Sequence, residues 1–554
     1  MNRVWLKSYP PGVPAEIETS RLTSLIELVD RACADFRDYP AYEQFGTVLT
    51  YGQLDELTRA FAAWLQSAGL AKGDRIAIML PNTLQYPIAL FGAVRAGLIV
   101  VNTNPLYTAR ELEHQLVDSG AAAIVALENF AHVVQEVAPH CHLKHILITA
   151  VGDFLPAPKS WIVNFMVRRR NRHAPHWHIP DALSFRAAVR SGRSKSFRPV
   201  TVSSEDIAFL QYTGGTTGVA KGAMLTHGNV AANILQAEAW IGSLFRDERG
   251  VLITAIPLYH IFALTANCLL FVRLGWKNVL IINARDFQAL VAELKKHPFQ
   301  YFSGVNTLFN ALLHTPGFAD IDFSHLKVTL GGGMAVQAAV AARWKEVTGH
   351  ILTQAWGLTE TSPAVAINPV AEDFNGSVGL PVSSTDIAVK DDASNDLPVG
   401  HSGEVCVRGP QVMRGYWNRP DETAKVMLPD GWLRTGDVGY IDERGYIYLQ
   451  DRKKDMILVS GFNVYPNEVE AVAVTHPGVL EAAAIAQSDE HSGEVVALYV
   501  VLKDPKVTER EIIEHCRKSL AGYKVPKYVY FRRELPKSNV GKILRKELRT
   551  AAPG

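Results

Sequence analysis

From about residue 50 onward, short β-branched apolar runs alternate with amphipathic helical windows along this chain. The runs are Arg75 to Leu80, Ala122 to Leu127, His145 to Thr149, Ile207 to Leu210, Val251 to Ile256, Asn278 to Ile282 and Val328 to Leu330. Such alternation predicts α/β layers. Tyr86 to Val101 is the most membrane-like stretch, but Arg95 interrupts it and it falls short of the roughly 20 residues needed to span a bilayer. It is expected to form a buried helix and strand. Near Gly400 the texture changes to hairpins, with Glu404–Arg408 as a strand and Asp442–Gly445 as a turn between Tyr440-Ile441 and Tyr446–Tyr448. Asp451-Arg452-Lys453-Lys454-Asp455 then places five charges in a row between two apolar strands and reads as a solvated linker. Beyond it, the strand Val495 to Leu502 and an amphipathic helix around Glu509 to Leu520 suffice for a small α+β domain. The expected division is a large α/β region with a β-rich subdomain over 1–450, and a small C-terminal domain over 451–554.

Size and composition narrow the class. A chain of 554 residues is too long for a single core, so two or more domains are expected. Lys+Arg number 56 and Asp+Glu 55, a balance that argues against nucleic acid as the partner. The five cysteines, Cys33, Cys141, Cys268, Cys406 and Cys516, include no CxxC pair, which fits reduced thiols in a cytoplasm. The first residues carry no secretion signal pattern. One segment stands apart: Trp161-Ile162-Val163-Asn164-Phe165-Met166-Val167 runs into Arg168-Arg169-Arg170-Asn171-Arg172. An apolar face beside a basic cluster suits either a peripheral contact with an anionic membrane or an ordinary surface helix.

The candidate chemistry starts after the strand Ile207–Leu210, at Tyr212-Thr213-Gly214-Gly215-Thr216-Thr217-Gly218-Val219-Ala220-Lys221-Gly222. Glycines let backbone N–H groups approach phosphate oxygens, threonine hydroxyls add neutral donors, and lysine adds a point charge. A P-loop is excluded: counting from Gly215, it needs Gly at 220 and Ser or Thr at 222, where Ala220 and Gly222 stand. Downstream come Gly331-Gly332-Gly333-Met334, Ala355-Trp356-Gly357-Leu358-Thr359-Glu360, Trp432-Leu433-Arg434-Thr435-Gly436-Asp437, Ser460-Gly461-Phe462-Asn463 and Pro536-Lys537-Ser538-Asn539-Val540-Gly541-Lys542. Taken singly, Glu360 is a surface carboxylate, Asp437 an Asx turn, Arg452 a solvated charge and Lys542 a wet surface residue.

Taken in this order, the motifs resemble the adenylate-forming enzymes, a family of acyl-CoA synthetases, luciferases and peptide-synthetase adenylation domains. Asn104 to His114 and Asp451 to Asn463 are similar in particular to bacterial long-chain fatty acid–CoA ligases. The resemblance spans essentially the whole chain, from Thr50-Tyr51 to the terminal lysine loop. It implies an ATP site made by Tyr212, Thr213, Gly214, Gly215, Thr216, Thr217, Gly218, Lys221, Gly332, Gly333, Trp356, Gly357, Asp437 and Arg452. Trp356 stands where the family usually has a tyrosine stacked on adenine, and Asp437 and Arg452 would hold the ribose. Thr359 would touch the α-phosphate, and Glu360 with Thr213 would hold Mg²⁺. Lys542 would neutralise charge on the α-phosphate, and Asp451 would be the hinge of a mobile C-terminal domain. Gly461 would line the pantetheine path, while His260, Gly304 and Gly331 would border the acyl pocket.

The implied reaction joins a fatty acid to CoA through an acyl-adenylate, with release of AMP and pyrophosphate, for fatty acid degradation or lipid synthesis. A ligase for medium-chain or aromatic acids and a non-catalytic acyl or nucleotide binder remain as alternatives. The implied location is the cytoplasm or the inner face of the inner membrane. The oligomeric state, with a homodimer as one option, and the chain-length preference stay open.

Overall fold

The computed structural model describes residues 3–170, 175–213, 220–245, 249–489 and 492–550. Most of its parallel strands are short and largely apolar, so they have to be covered on both faces. Ile99–Asn102, Ala123–Leu127 and Val328–Gly331 are buried at every position. Two large sheets result. One runs Leu183–Ser184, His145–Thr149, Ala123–Leu127, Arg75–Met79, Ile99–Asn102, Ile207–Thr213, with Lys221–Thr226 antiparallel at its edge. The other has nine strands, ordered Leu380–Pro381, Ala364–Ile367, Leu352–Gly357, Val328–Gly331, Tyr301–Gly304, Val251–Thr254, Lys277–Leu280, Pro40–Gln44, Thr47–Thr50. Its centre, from Leu352–Gly357 to Pro40–Gln44, is parallel.

Gly304, Gly331 and Gly357 therefore all end strands that point the same way in the nine-stranded sheet, and the loops beyond them meet at one rim, which Thr213, the last residue of a strand in the other sheet, also borders. That is where open α/β sheets bind ligands. Helix His227–Ile241, started by a capping box between Thr226 and Asn229, walls one side of the space below the rim.

The hairpin region forms a third, antiparallel sheet of Asp386–Lys390, Gly403–Arg408, Leu433–Ile441 and Ile447–Arg452. The C-terminal part is a separate small sheet of Phe462–Val464, Ile457–Val459, Gly493–Leu502, Val479–Asp489 and Tyr528–Phe531, with its own core and the helix Glu509–Arg517. The expected buried helix and strand are Gln85–Arg95 and Ile99–Asn102. Arg95 interrupts the apolar run without reaching solvent, because Asp30 and Asp55 take its guanidinium at 2.7 and 2.6 Å.

One expectation fails. The charged run 451–455 is not a solvated linker: Asp451 and Arg452 complete the strand Ile447–Arg452, and Asp451 is only 4% exposed. Its charges are matched by the last helix, Arg545–Thr550, which brings Arg549 to Asp455 at 2.8 Å and Arg545 within 4 Å of both Asp451 and Asp455. Those partners lie about ninety residues away along the chain, beyond the reach of a local pattern.

Among the described residues no helix is long and apolar enough to cross a membrane. The helix Lys159–Arg170 packs Val163 and Val167 inward and fixes Asn164 to Gly152 N (2.6 Å) and Asp153 Oδ1 (3.1 Å). Its opposite face leaves Trp161 70% and Phe165 64% exposed, beside Ile162 and Met166.

Candidate active site

A cavity of about 1350 Å³ opens where the rim of the nine-stranded sheet, the hairpin sheet and the C-terminal loop 537–545 face one another. Tyr212, Thr213, Lys221, His260, Gly332, Gly333, Trp356, Gly357, Thr359, Glu360, Asp437, Asp451, Arg452 and Lys542 all line it. Residues from five separate motifs, spread over more than three hundred positions, thus share one space. Gly214, Gly215, Thr216, Thr217 and Gly218 lie outside the described residues.

Asp437 owes its place to the register of its hairpin. At the turn, Gly439 opposes Leu449, but a bulge follows and Val438 opposes Asp451, so Arg452 comes to stand opposite Asp437. The pair closes at 2.6 Å between Arg452 Nε and Asp437 Oδ1. The second carboxylate oxygen accepts from the Trp356 indole, Nε1 to Oδ2, at 3.0 Å. Thr435 Oγ1 accepts from Asp437 N at 3.1 Å and donates to Val405 O, bracing the backbone. Burial pushes the Asp437 carboxyl above the usual carboxylate range, with Arg452 and Trp356 pulling the other way. The tryptophan at a position where the resemblance implies a tyrosine therefore has a second role, as a donor to the candidate ribose acceptor.

Glu360 sits in a single turn, Thr359–Thr361, directly after the strand Leu352–Gly357. Its Oε1 accepts from the Tyr416 hydroxyl at 2.7 Å, and its backbone oxygen accepts from Met413 N at 2.8 Å. Its Oε2 makes no hydrogen bond among the described residues and remains available to a cation or a ligand. Tyr416 was not singled out in the sequence, since 56 residues separate it from Glu360. The only local signal was Gly415-Tyr416-Trp417, a glycine ahead of paired aromatics.

Lys542 is half-buried, with Cε 3.3 Å from where a Cβ on Gly333 would stand. Gly333 has φ +77°, and the bare backbone there leaves room for the lysine arm. Burial, aided by Arg452 and opposed by Asp437 and Glu360, lowers the Lys542 pKa to about 8. His260 accepts from Phe262 N through Nδ1 at 3.3 Å, and burial pushes its pKa down to about 3, so the ring is neutral.

Other expected site residues take different places. Tyr212 lines the cavity, but its hydroxyl is committed to Asp118 Oδ2 at 2.7 Å. Lys221 is ion-paired with Glu422 and lies over the Tyr416 ring, 5.0 Å from its centroid, so any anion must compete for it. Gly304 and Gly331 are cross-strand partners under the rim, packed on Phe309 and Val336, and are not among the residues lining the cavity. They allow close packing of the core below the site. Gly461 is exposed on the turn between Ile457–Val459 and Phe462–Val464, outside the cavity lining and with open space around it. Asp451 caps the small domain's first helix, Pro466–Ala473, accepting from Asn467 N at 2.9 Å and from Arg452 N at 2.8 Å.

Below the polar rim the cavity continues as an apolar limb walled by Ala237, Ile241, Ala266, Leu270, Ile367 and Val378. One space thus combines several cations, Lys542 among them, carboxylates including Glu360 and Asp437, and a hydrocarbon-lined extension, an arrangement suited to an amphiphile held against a charged co-substrate.

The Lys542 environment makes a direct prediction. Competitive amine labelling read by mass spectrometry will show Lys542 half-titrated near pH 8, and Asp437→Asn will move that midpoint to lower pH by removing an anion that favours the charged form. A midpoint at the ordinary lysine value in the wild type would contradict this placement.

The chain is similar along its whole length to known proteins. The family profile described as AMP-binding enzyme matches residues 29–417, and that described as AMP-binding enzyme C-terminal domain matches residues 468–542. A long-chain-fatty-acid–CoA ligase of Escherichia coli O6:H1 is 54% identical, covering 100% of this chain and 99% of that protein. One of Salmonella typhimurium is 55% identical over the same shares. The crystal structure of ATP-bound MatB from Rhodopseudomonas palustris superposes with a TM-score of 0.81 at 27% identity, covering 95% of this chain and 98% of that one. With both profiles matched in order, and identity above one half along its full length, the chain belongs to the AMP-binding enzyme family.

Proposed function

We propose that this chain activates long-chain fatty acids as CoA thioesters in two steps. A fatty carboxylate attacks the α-phosphorus of ATP to give acyl-adenylate and pyrophosphate; the CoA thiol then attacks the acyl carbon and AMP leaves. The observation that carries this reading is the convergence of Lys542 with Asp437, Arg452 and Glu360 above an apolar limb. Full-length similarity to proteins named long-chain-fatty-acid–CoA ligases supports the same substrate class.

Each residue then has a task. A fatty acid with a pKa near 4 is already ionised at neutral pH, so the first step needs no base, and the neutral His260 serves as pocket wall. Lys542 offers its charge to the phosphate oxygens as negative charge builds there. Because its pKa is lowered to about 8, that charge is present below pH 8 and lost as pH rises through it. Asp437 and Arg452 present acceptor and donor to the ribose, and Trp356 supplies an aromatic face for adenine. Glu360, with one oxygen fixed by Tyr416 and the other open, fits a hard cation completed by substrate oxygens, and Thr213 is the neighbouring hydroxyl. Mg²⁺ bound there would supply charge neutralisation to the polyphosphate. The alkyl tail occupies the apolar limb, each buried methylene contributing about 0.8 kcal/mol. For the second step we assign residues 451–554 as a domain that turns about Asp451, exchanging Lys542 for Gly461 at the cavity.

We also assign the exposed face of Lys159–Arg170 to peripheral contact with an anionic membrane, the cytoplasmic face of the inner membrane being the location this implies. Trp161, Ile162, Phe165 and Met166 form one stripe, and the helix carries four cations and no acid, so a second copy would offer it no charge complement. Flotation with vesicles of zwitterionic and anionic lipid will show binding that increases with anionic content and is lost in Trp161→Glu/Phe165→Glu. Binding unchanged by that double substitution would remove the helix from this role.

For the reaction itself, purified protein with Mg-ATP, CoA and a ladder of acids will form AMP and acyl-CoA fastest with long alkyl chains. Lys542→Ala will lower pyrophosphate release by about a hundredfold or more, roughly 3 kcal/mol. It will still bind ATP. A maximum at short or aromatic acids would overturn the substrate class, and no turnover with any acid would overturn the activity.

A further inference from the structure

The loop that carries Lys542 is held in the cavity from both sides. Within the loop, Ser538 N donates to Lys542 O (2.7 Å), Gly541 N to Ser538 O (2.9 Å) and Lys542 N to Ser538 Oγ (3.2 Å), so its short span behaves as one braced unit. Across the gap, three side chains of the large region donate to main-chain carbonyls of the small one. Thr307 Oγ1 reaches Gly541 O at 2.9 Å, Arg285 Nη2 reaches Ser538 O at 3.2 Å, and Asn310 Nδ2 reaches Leu480 O at 3.3 Å.

Thr307 and Asn310 are three residues apart on the helix Asn306–Leu313 and therefore share a face. That helix follows directly on the strand Tyr301–Gly304, so the donors stand on a rigid element of the sheet rim. At Gly541 the approach is so close that a Cβ would meet Thr307 Oγ1 at 2.8 Å and Val305 Cγ2 at 3.0 Å, with φ at +85°. All three acceptors are backbone oxygens, so these donors read the position of the loop and not a side chain that could follow it elsewhere. Two of the acceptors lie within four residues of Lys542, and the third belongs to the strand Val479–Asp489, whose Glu481 is ion-paired with Lys537 of the same loop at 2.6 Å.

We propose that Arg285, Thr307 and Asn310 form a latch that holds the Lys542 loop in the cavity for adenylate formation and lets go before thioester formation. They are positioning residues, since they act on the phosphate only through Lys542, and the proposal rests on the two-step reading given above. The latch sets how the enzyme divides its time between the half-reactions. Weakening it lowers the occupancy of Lys542 in the cavity and slows only the step that needs that cation.

The test measures the half-reactions separately in single turnovers: pyrophosphate release from fatty acid and Mg-ATP without CoA, and thioester formation from preformed acyl-adenylate and CoA. Thr307→Val, which keeps the shape and removes the donor, will slow pyrophosphate release roughly five- to tenfold, the worth of about one hydrogen bond. Combining it with Arg285→Gln will slow release further. In both variants thioester formation will stay at the wild-type rate or exceed it, and Thr307→Ser will restore the first step. Equal losses in both half-reactions, or an unchanged first step, would overturn the latch. Absence of pyrophosphate release from the wild type with every acid would overturn the two-step reading instead, so the two failures are distinguishable.

Discussion

Everything in this site depends on keeping a half-buried lysine charged. Burial alone would drive the ammonium of Lys542 towards its neutral form, and Arg452 adds to that pressure. Asp437 and Glu360 restore the balance, leaving a pKa of about 8 and hence a cation at neutral pH. The carboxylates are in turn held by groups with little other freedom. Asp437 is pinned by Arg452 and the Trp356 indole, and Glu360 by the Tyr416 hydroxyl. The cation and the two anions form one electrostatic unit, the cation coming from the C-terminal loop and the anions from the large region.

That dependence gives the small domain its meaning. A site complete within the large region would have no need of the loop 537–545, but here the loop supplies the cation while the large region supplies the carboxylates. The helix Asn306–Leu313 receives the loop, and the helix Pro466–Ala473 ties the other end of the small domain to Asp451. The last helix, Arg545–Thr550, gathers the acids of 451–455 and Glu470 around Arg545 and Arg549. Geometry at the phosphate end of the cavity is thus coupled to contacts made along the whole domain.

Much of this was legible in the amino-acid order, and the parts that were not share a physical reason. Seven of the parallel strands could be read because each is a short, largely apolar run, a local property, whereas Pro40–Gln44, Leu183–Ser184 and Tyr301–Gly304 were not among them. The buried Arg95 could not be read as paired, because Asp30 and Asp55 lie 65 and 40 residues away. Asp451 and Arg452 looked like a wet linker for the same reason, and a bulge that shifts the hairpin register by one residue decides that Arg452, and not Asp451, faces Asp437. Trp356 was legible as an aromatic wall but not as a hydrogen-bond donor, and Tyr416 was missed altogether. Gly304 and Gly331 were assigned to the acyl pocket by the resemblance, yet their missing side chains make room for Phe309 and Val336 in the core. Tyr212 and Lys221, both expected in the ATP site, have their hydroxyl and ammonium taken up by Asp118 and Glu422.

In the proposed first step the carboxylate oxygen of the acid itself attacks the α-phosphorus beside Lys542. A fatty acid labelled with ¹⁸O in both carboxylate oxygens traces this directly. One labelled oxygen is expected in AMP for each acyl-CoA formed, since thiol attack on the acyl carbon leaves that oxygen with the nucleotide. Label appearing in orthophosphate, with ADP as the nucleotide product, would contradict it.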